Sequence, residues 1–232
     1  MRVNEKSKKR LRRIWLWVRP LLLVAIVVSA FRSAVADWND VPSGSMKPNI
    51  LEGDRILVNK LAYDLKVPFT FWRLARWADP ARGDVVVLFD AVGTRLVKRV
   101  IGLPGDVVEL RGDRLIVNGV LAAYTLDGSD RGGPGGTPRV RLVERIASMP
   151  AHPIVLLPGI VAERRDFGPI TVPEGHYFCM GDNRDLSRDS RYFGFIPRGH
   201  IVGRVRYIAL SLDPSDHYLP RWERFGRPLT RE

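Results

Sequence analysis

An apolar run at residues 14–31, IWLWVRPLLLVAIVVSAF, follows a strongly basic leader and constrains this 232-residue chain more than any other feature. Eighteen helical residues at ~1.5 Å each extend about 27 Å, close to the ~30 Å hydrocarbon thickness of a bilayer. Arg19 and Pro20 interrupt the run near its start, where a long cationic side chain reaches the headgroups, and Trp15 and Trp17 suit the same interface. Residues 1–20 hold eight Lys/Arg and a single acid, Glu5, so this short stretch supplies +7 of a net charge of +12. Positive charge so concentrated beside an apolar segment marks a cytoplasmic flank. It does not mark a nucleic-acid groove, since no basic and aromatic strip recurs later in the chain. The expected organisation is a basic cytoplasmic tail at 1–13 and a single-pass transmembrane anchor at 14–36. All that follows then lies outside the cytoplasm.

A second reading of the same stretch stays open. The basic start, the apolar core at 21–31 and Ala34-Val35-Ala36 together resemble a cleavable signal peptide. Arg32, between that core and the cleavage position, weighs against it. Both readings export the chain.

Beyond residue 50 the texture is short apolar runs between GD, PGD, NG and PEG turns, with no long 3.6-residue period. Strands are expected at 55–59, 84–89, 95–100, 107–110, 115–117, 176–180 and 202–210. The fold class is therefore mostly β, an antiparallel coiled or closed sheet, split into a first part at 37–118 and a second at 171–232. Residues 119–170 are less patterned and read as a variable insertion projecting from that core, opened by a flexible surface loop, DGSDRGGPGGTP, at 127–138. Cys179 is the only cysteine, which excludes an intramolecular disulfide, and the four histidines have no ligand spacing. No metal and no organic cofactor are expected.

Three segments carry chemistry. DVPSGSMKPNILEGD, at 40–54, is a proline-bounded loop bearing Ser43 and Ser45 a few residues past the apolar run. RLVKRVIGLPGD, at 95–106, sets Lys98 within a strand-like run. A mid-strand lysine ordinarily faces solvent. The alternative is burial, which lowers its pKa, and a lysine base requires that, because at pKa ~10.4 only about one in 2,500 is neutral at pH 7. GDNRDLSRDSRYFGFIP, at 181–197, packs Asp182, Arg184, Asp185, Arg188, Asp189 and Arg191 around Ser187, either as a solvated charged loop or as a rigid paired scaffold. A stiff serine loop, a lysine strand and a polar scaffold suggest a Ser–Lys dyad. No histidine has the setting a Ser-His-Asp triad needs, and GSMK is not the G-x-S-x-G elbow of α/β-hydrolases.

Taken in order, PSGSMKPNILEGD, KRVIGLPGD and VPEGHYFCMGDNRDLSRDSRYFG resemble the serine, lysine and Asp/Ser/Arg boxes of type I signal peptidase, or leader peptidase. The resemblance implies a membrane serine endopeptidase that removes signal peptides from exported preproteins after Ala-X-Ala sites. It implies Ser45 as nucleophile and Lys98 as general base, with Ser187 orienting the lysine. It implies Ser43 as a partner of the Ser45 N–H in holding the oxyanion. Asp189 and Arg191 would buttress the site, Asp182 and Arg184 would fix the loop, and Val41, Met46 and Val97 would line shallow pockets for small side chains. The implied setting is the bacterial inner membrane, with a retained anchor, the catalytic part periplasmic, and preproteins and the lipid bilayer as partners. The chain departs from the family pattern at Asn49-Ile50, usually Thr-Leu, at Leu186, usually Asn, and at Phe193, usually Trp. None of these removes a reacting group. Rival assignments are a dedicated Ser–Lys protease for a secretion or conjugation component and a non-catalytic envelope-facing domain.

Overall fold

The computed structural model describes residues 5–70, 72–146, 149–160 and 164–229. One helix, Glu5–Ala34, contains the apolar run and carries Pro20 within it. Its stretch Arg12–Ala34 is long and apolar enough to cross a membrane, and its side chains from Arg12 to Ser29 are exposed. An apolar surface uncovered by the rest of the protein is what a lipid-facing segment presents.

The main sheet is antiparallel and eight-stranded. Its path runs Ala36–Asp40, Asp54–Asn59, Ile201–Asp213, Val85–Phe89, Arg95–Gly102, His176–Met180 and Ile196–Pro197, with Leu219–Pro220 beside Ile201–Asp213. Asp54–Asn59 alternates, burying Ile56 and Val58 and turning Arg55 and Leu57 outward, the pattern of a sheet covered on one face. Val85–Phe89 is buried along almost its whole length because it is central and packed on both faces, hence its unbroken VVVLF. The long strand Ile201–Asp213 slips register against its neighbours at several points, and such bulges curl a sheet. Gly203 lies where a Cβ would come within 2.6 Å of the Asn59 carbonyl, so the curl requires glycine there.

All seven expected strands are present, most extended by a residue or more. A smaller sheet joins Phe167–Thr171, Val107–Arg111, Arg114–Val117 and Val120–Leu121. Its two tight turns, Gly112-Asp113 and Asn118-Gly119, have positive φ at both residues, as two-residue hairpins demand.

The region 119–170 differs from the expectation of an unpatterned stretch. Ala123–Asp130, Arg139–Ile146 and Met149–Leu156 form a three-stranded antiparallel sheet. The proposed loop at 127–138 is therefore partly strand, and its hairpin is closed by Asp130 accepting from Arg139 and Arg141. Ala123–Asp130 is largely exposed, so it shows no clean apolar alternation that periodicity could detect.

Candidate active site

Ser45 lies on a single turn, Gly44–Met46, held at both ends. Met46 is 1% exposed and pins the turn into the core beside Val41, Ile50 and Val85, with Val97 packed half-buried against the same cluster. From the other side the Asn183 Nδ2 donates to the Gly44 carbonyl and the Asn183 N–H to the Ser45 carbonyl, both at 3.0 Å.

Lys98 comes from the strand Arg95–Gly102, where it stands opposite Val86. It is 2% exposed, and its Nζ donates to the Ser45 Oγ at 2.7 Å. Burial pushes its pKa down to about 8, against the opposing attraction of Asp189 and Asp182. About one lysine in ten is then neutral at pH 7. A buried amine of lowered basicity bonded to a serine hydroxyl is suited to taking that hydroxyl's proton.

The charged run at 181–197 is folded inward. His176–Met180 pairs antiparallel with the lysine strand, Met180 opposite Arg99, so the chain leaving Met180 passes the Ser45 turn. Asp189 and Arg191 form a two-pronged buried pair, both contacts 2.9 Å. The Asp189 carboxylate also accepts the Gly181 N–H, and the Arg191 Nη2 donates to the Arg184 carbonyl at 2.5 Å. Asp182 and Arg184 are buried too, but they do not pair with each other. Asp182 takes both prongs of Arg99 at 2.8 Å and the Asn49 Nδ2 at 2.6 Å. Arg184 grips Glu144 at 2.7 and 2.6 Å, and the Tyr124 hydroxyl donates to the same carboxylate. Burial alone would push the Asp182 and Glu144 carboxyls up, yet Arg99 and Arg184 hold them below the usual carboxylate range.

One expected contact is not made. Ser187 is buried, but its Oγ has no hydrogen-bond partner and does not bond Lys98. It sits against Gly181, where a Cβ would fall 2.2 Å from the Ser187 Oγ and 2.5 Å from the Ser45 carbonyl. Ser43 is exposed at the start of the serine turn and makes no side-chain capping bond.

Several participants went unseen in the sequence. Arg99 was visible only as the residue after Lys98, and Asn49 only as a departure from the family pattern. Asn183 and Gly181 lie inside the GDNRD box and could have been singled out. Glu144 and His152 come from the insertion and carried no signal. His152 is buried with its ring nitrogen 3.6 Å from Glu144 and 3.8 Å from Asp182. Burial lowers its pKa to about 4, so it is neutral at pH 7. Among the described residues no three His, Cys, Asp or Glu side chains converge as metal ligands.

A serine hydroxyl presented to a buried amine on a curled antiparallel sheet is an arrangement compatible with the serine-peptidase class. Residues 14–210 match the family described as signal peptidase, peptidase S26. Signal peptidase I of Pseudomonas aeruginosa is 38% identical over 224 residues, covering 89% of this chain and 75% of that protein. Signal peptidase I P of Bacillus subtilis subsp. natto is 34% identical over 218 residues, covering 92% of this chain and 98% of that one. A solved signal peptidase I from Enterococcus faecalis shares 31% identity, covers 55% of this chain and 97% of its own, and superposes with a TM-score of 0.34. The chain belongs to the signal peptidase family, peptidase S26, and is a serine endopeptidase.

Proposed function

We propose that the protein is anchored by its N-terminal helix in the bacterial inner membrane, N-terminus cytoplasmic, and removes signal peptides from exported preproteins after Ala-X-Ala sites. The catalytic part comprises 37–118 and 171–232, with 119–170 inserted. Neutral Lys98 accepts the Ser45 hydroxyl proton as Oγ attacks the scissile carbonyl carbon. The oxyanion is held by the Ser45 N–H and the Ser43 hydroxyl, and one such donor typically lowers the barrier by ~3–4 kcal/mol. The Lys98 ammonium then protonates the departing amine as the C–N bond breaks, leaving an acyl-enzyme. Water gives a proton to Lys98, attacks the ester carbonyl and releases the new carboxyl terminus, while Ser45 recovers its proton.

The observation that carries this reading is the 2.7 Å contact between the buried Lys98 Nζ and the half-buried Ser45 Oγ. Asp189–Arg191 and Asp182–Arg99 hold the surrounding backbone, and Ser187 fills the space between Gly181 and that backbone. Val41, Met46 and Val97 supply the apolar floor for small side chains. The test is cleavage of a preprotein with an Ala-X-Ala site by the detergent-solubilised chain and by Lys98→Ala. Cutting after the second alanine by the first, with the variant near background, supports the dyad. Equal rates exclude it.

A further inference from the structure

A cavity of about 640 Å³ lies beside the Ser45 turn and takes no part in the steps above. Its size is that of a ligand-binding cleft, ~300–1,000 Å³. Lys47 and Pro48, two and three residues past the nucleophile, line it together with Glu52. Arg139 and Arg141 of the inserted sheet and Arg221 of the C-terminal part line it as well.

The cavity lies on the side of Ser45 away from the helix. The hairpin of Ala36–Asp40 with Asp54–Asn59 sets Ala36 opposite Asn59 at the helix end and Asp40 opposite Arg55 at the other, so Glu52 stands beyond its far end. Ile201–Asp213 runs alongside, Arg204 opposite Asn59 and Ser211 opposite Asp54, which brings Asp213, also in the lining, to that far end. The lysine strand begins at the helix end too, with Arg95 3.9 Å from Asp37, and rises from there to Lys98. A signal peptide held in the bilayer therefore reaches Ser45 from the helix end, and the chain past the scissile bond continues toward the cavity. Two residues of extended chain span about 7 Å, so Lys47 is within reach of the second or third residue after the cut.

Most ionic groups of the lining are already committed. Arg139 and Arg141 bond Asp130 at 2.7 and 2.8 Å, and Arg141 lies 3.8 Å from Asp127. Arg221 donates to the Glu52 and Leu212 carbonyls at 2.6 and 2.9 Å. Asp213 accepts the Ser215 N–H and hydroxyl at 2.9 and 2.6 Å. Lys47 meets Glu52 at 2.7 Å, but these two side chains are 35% and 38% exposed. A pair so open to water holds weakly and exchanges partners, unlike the buried pairs around Asp182 and Glu144.

We propose that this cavity receives the first few residues of the mature chain, extended, and that the Lys47–Glu52 pair opens to meet a charged side chain of either sign among them. The inference rests on the signal-peptidase reading of Ser45 and Lys98. A groove whose one exchangeable pair holds both an acid and a base accepts unlike mature sequences, where a groove of one charge would reject half of them.

The test uses the detergent-solubilised full chain and a preprotein with an Ala-X-Ala site, carrying Asp or Lys at the second and third positions after the cut. The wild type is expected to cleave the two forms at rates within about twofold of each other. Lys47→Glu is expected to shift the ratio of kcat/KM for the two forms about fivefold toward Lys, and Glu52→Lys about fivefold toward Asp. The ratio cancels any general loss of activity in either variant. Ratios unmoved in both variants overturn the inference. A second measurement does not depend on turnover. Ser215→Cys, in the cavity lining, is combined with Ser45→Ala, and the uncut preprotein carries one cysteine at the fourth, fifth or sixth position after the site. The native thiol, Cys179, is buried and does not compete. Disulfide formation at 215 is expected to exceed by about fivefold or more that at Val120→Cys, a half-exposed residue of the small sheet outside the cavity. Equal yields at 215 and 120 overturn the inference and leave the cleavage reading standing. A wild type that cuts neither form overturns the cleavage reading, and the inference with it.

Discussion

Arg99 meets Asp182 through two parallel contacts of 2.8 Å, and neither side chain is more than 2% exposed. The pair joins the strand that carries Lys98 to the loop that grips the Ser45 turn through Asn183. Asp182→Asn leaves the Arg99 guanidinium buried without a counter-charge, a change that typically costs ~3–5 kcal/mol. For a chain of this size that corresponds to a fall in Tm of about 10 °C. Thermal unfolding of the detergent-solubilised variant beside the wild type checks it.

The pH dependence of cleavage should follow Lys98. With its pKa at about 8, log(kcat/KM) is expected to rise by about one per pH unit below pH 8 and to level above it. The same burial acts on stability. Below pH 8 both folded and unfolded chains hold the lysine proton, and the buried ammonium destabilises the fold. Between about 8 and 10.5 only the unfolded chain still holds it, so this penalty fades as pH rises. Lys98→Met should accordingly be inactive yet more stable at pH 7, by on the order of 2–3 kcal/mol. Denaturant titrations at pH 7 and pH 10 measure the difference.

Gly181 has no room for a side chain, because a methyl group there would press on both the Ser187 Oγ and the Ser45 carbonyl. Gly181→Ala should shift the serine turn enough to lower kcat by about 100-fold. Its Tm should move far less than that of Asp182→Asn. Equal loss of both quantities would mean that the glycine serves folding alone.

Glu144 tests whether the inserted sheet belongs to the site. It is fully buried and is the carboxylate that neutralises Arg184. Glu144→Gln is expected to destabilise by ~3–5 kcal/mol and to lower activity with it. If activity and stability both survive, the insertion is an appendage.

His152 should shape the acid limb of stability. Its pKa falls from 6.5 to about 4 on folding, so between those values the unfolded chain binds a proton that the folded chain does not. Stability should be lost as pH drops from 6.5 towards 4, by up to ~3 kcal/mol, and His152→Gln should flatten that slope. Urea midpoints across this range supply the measurement.

Legibility in the sequence varied with the range of the interaction. Alternation at Asp54–Asn59 and the unbroken valines of Val85–Phe89 report local burial, and those strands were readable. The association of Ser45 with Lys98 came from three boxes in a family order, since nothing in the lysine segment itself declares burial. The partners of the charged loop were not readable. Arg184 finds Glu144 forty positions away, and Arg99 finds Asp182 eighty-three away, so the fold chooses between equally plausible pairings. The inserted sheet escaped for the opposite reason: its outer strand buries too little to leave a periodic mark.

The bonds from Lys60 to the last helical carbonyls, and from Arg32 to Asp37 at 2.8 Å, tie the end of the helix to the sheet. A helix that crosses a bilayer and is fastened in this way transmits its lean directly to Ser45. Thinner or thicker lipid would then swing the nucleophile along the emerging substrate by a few ångströms, about one peptide unit. On the proposed anchoring, which bond is cut would depend in part on the membrane, and lipid acyl length would move the cleavage position without altering a single residue.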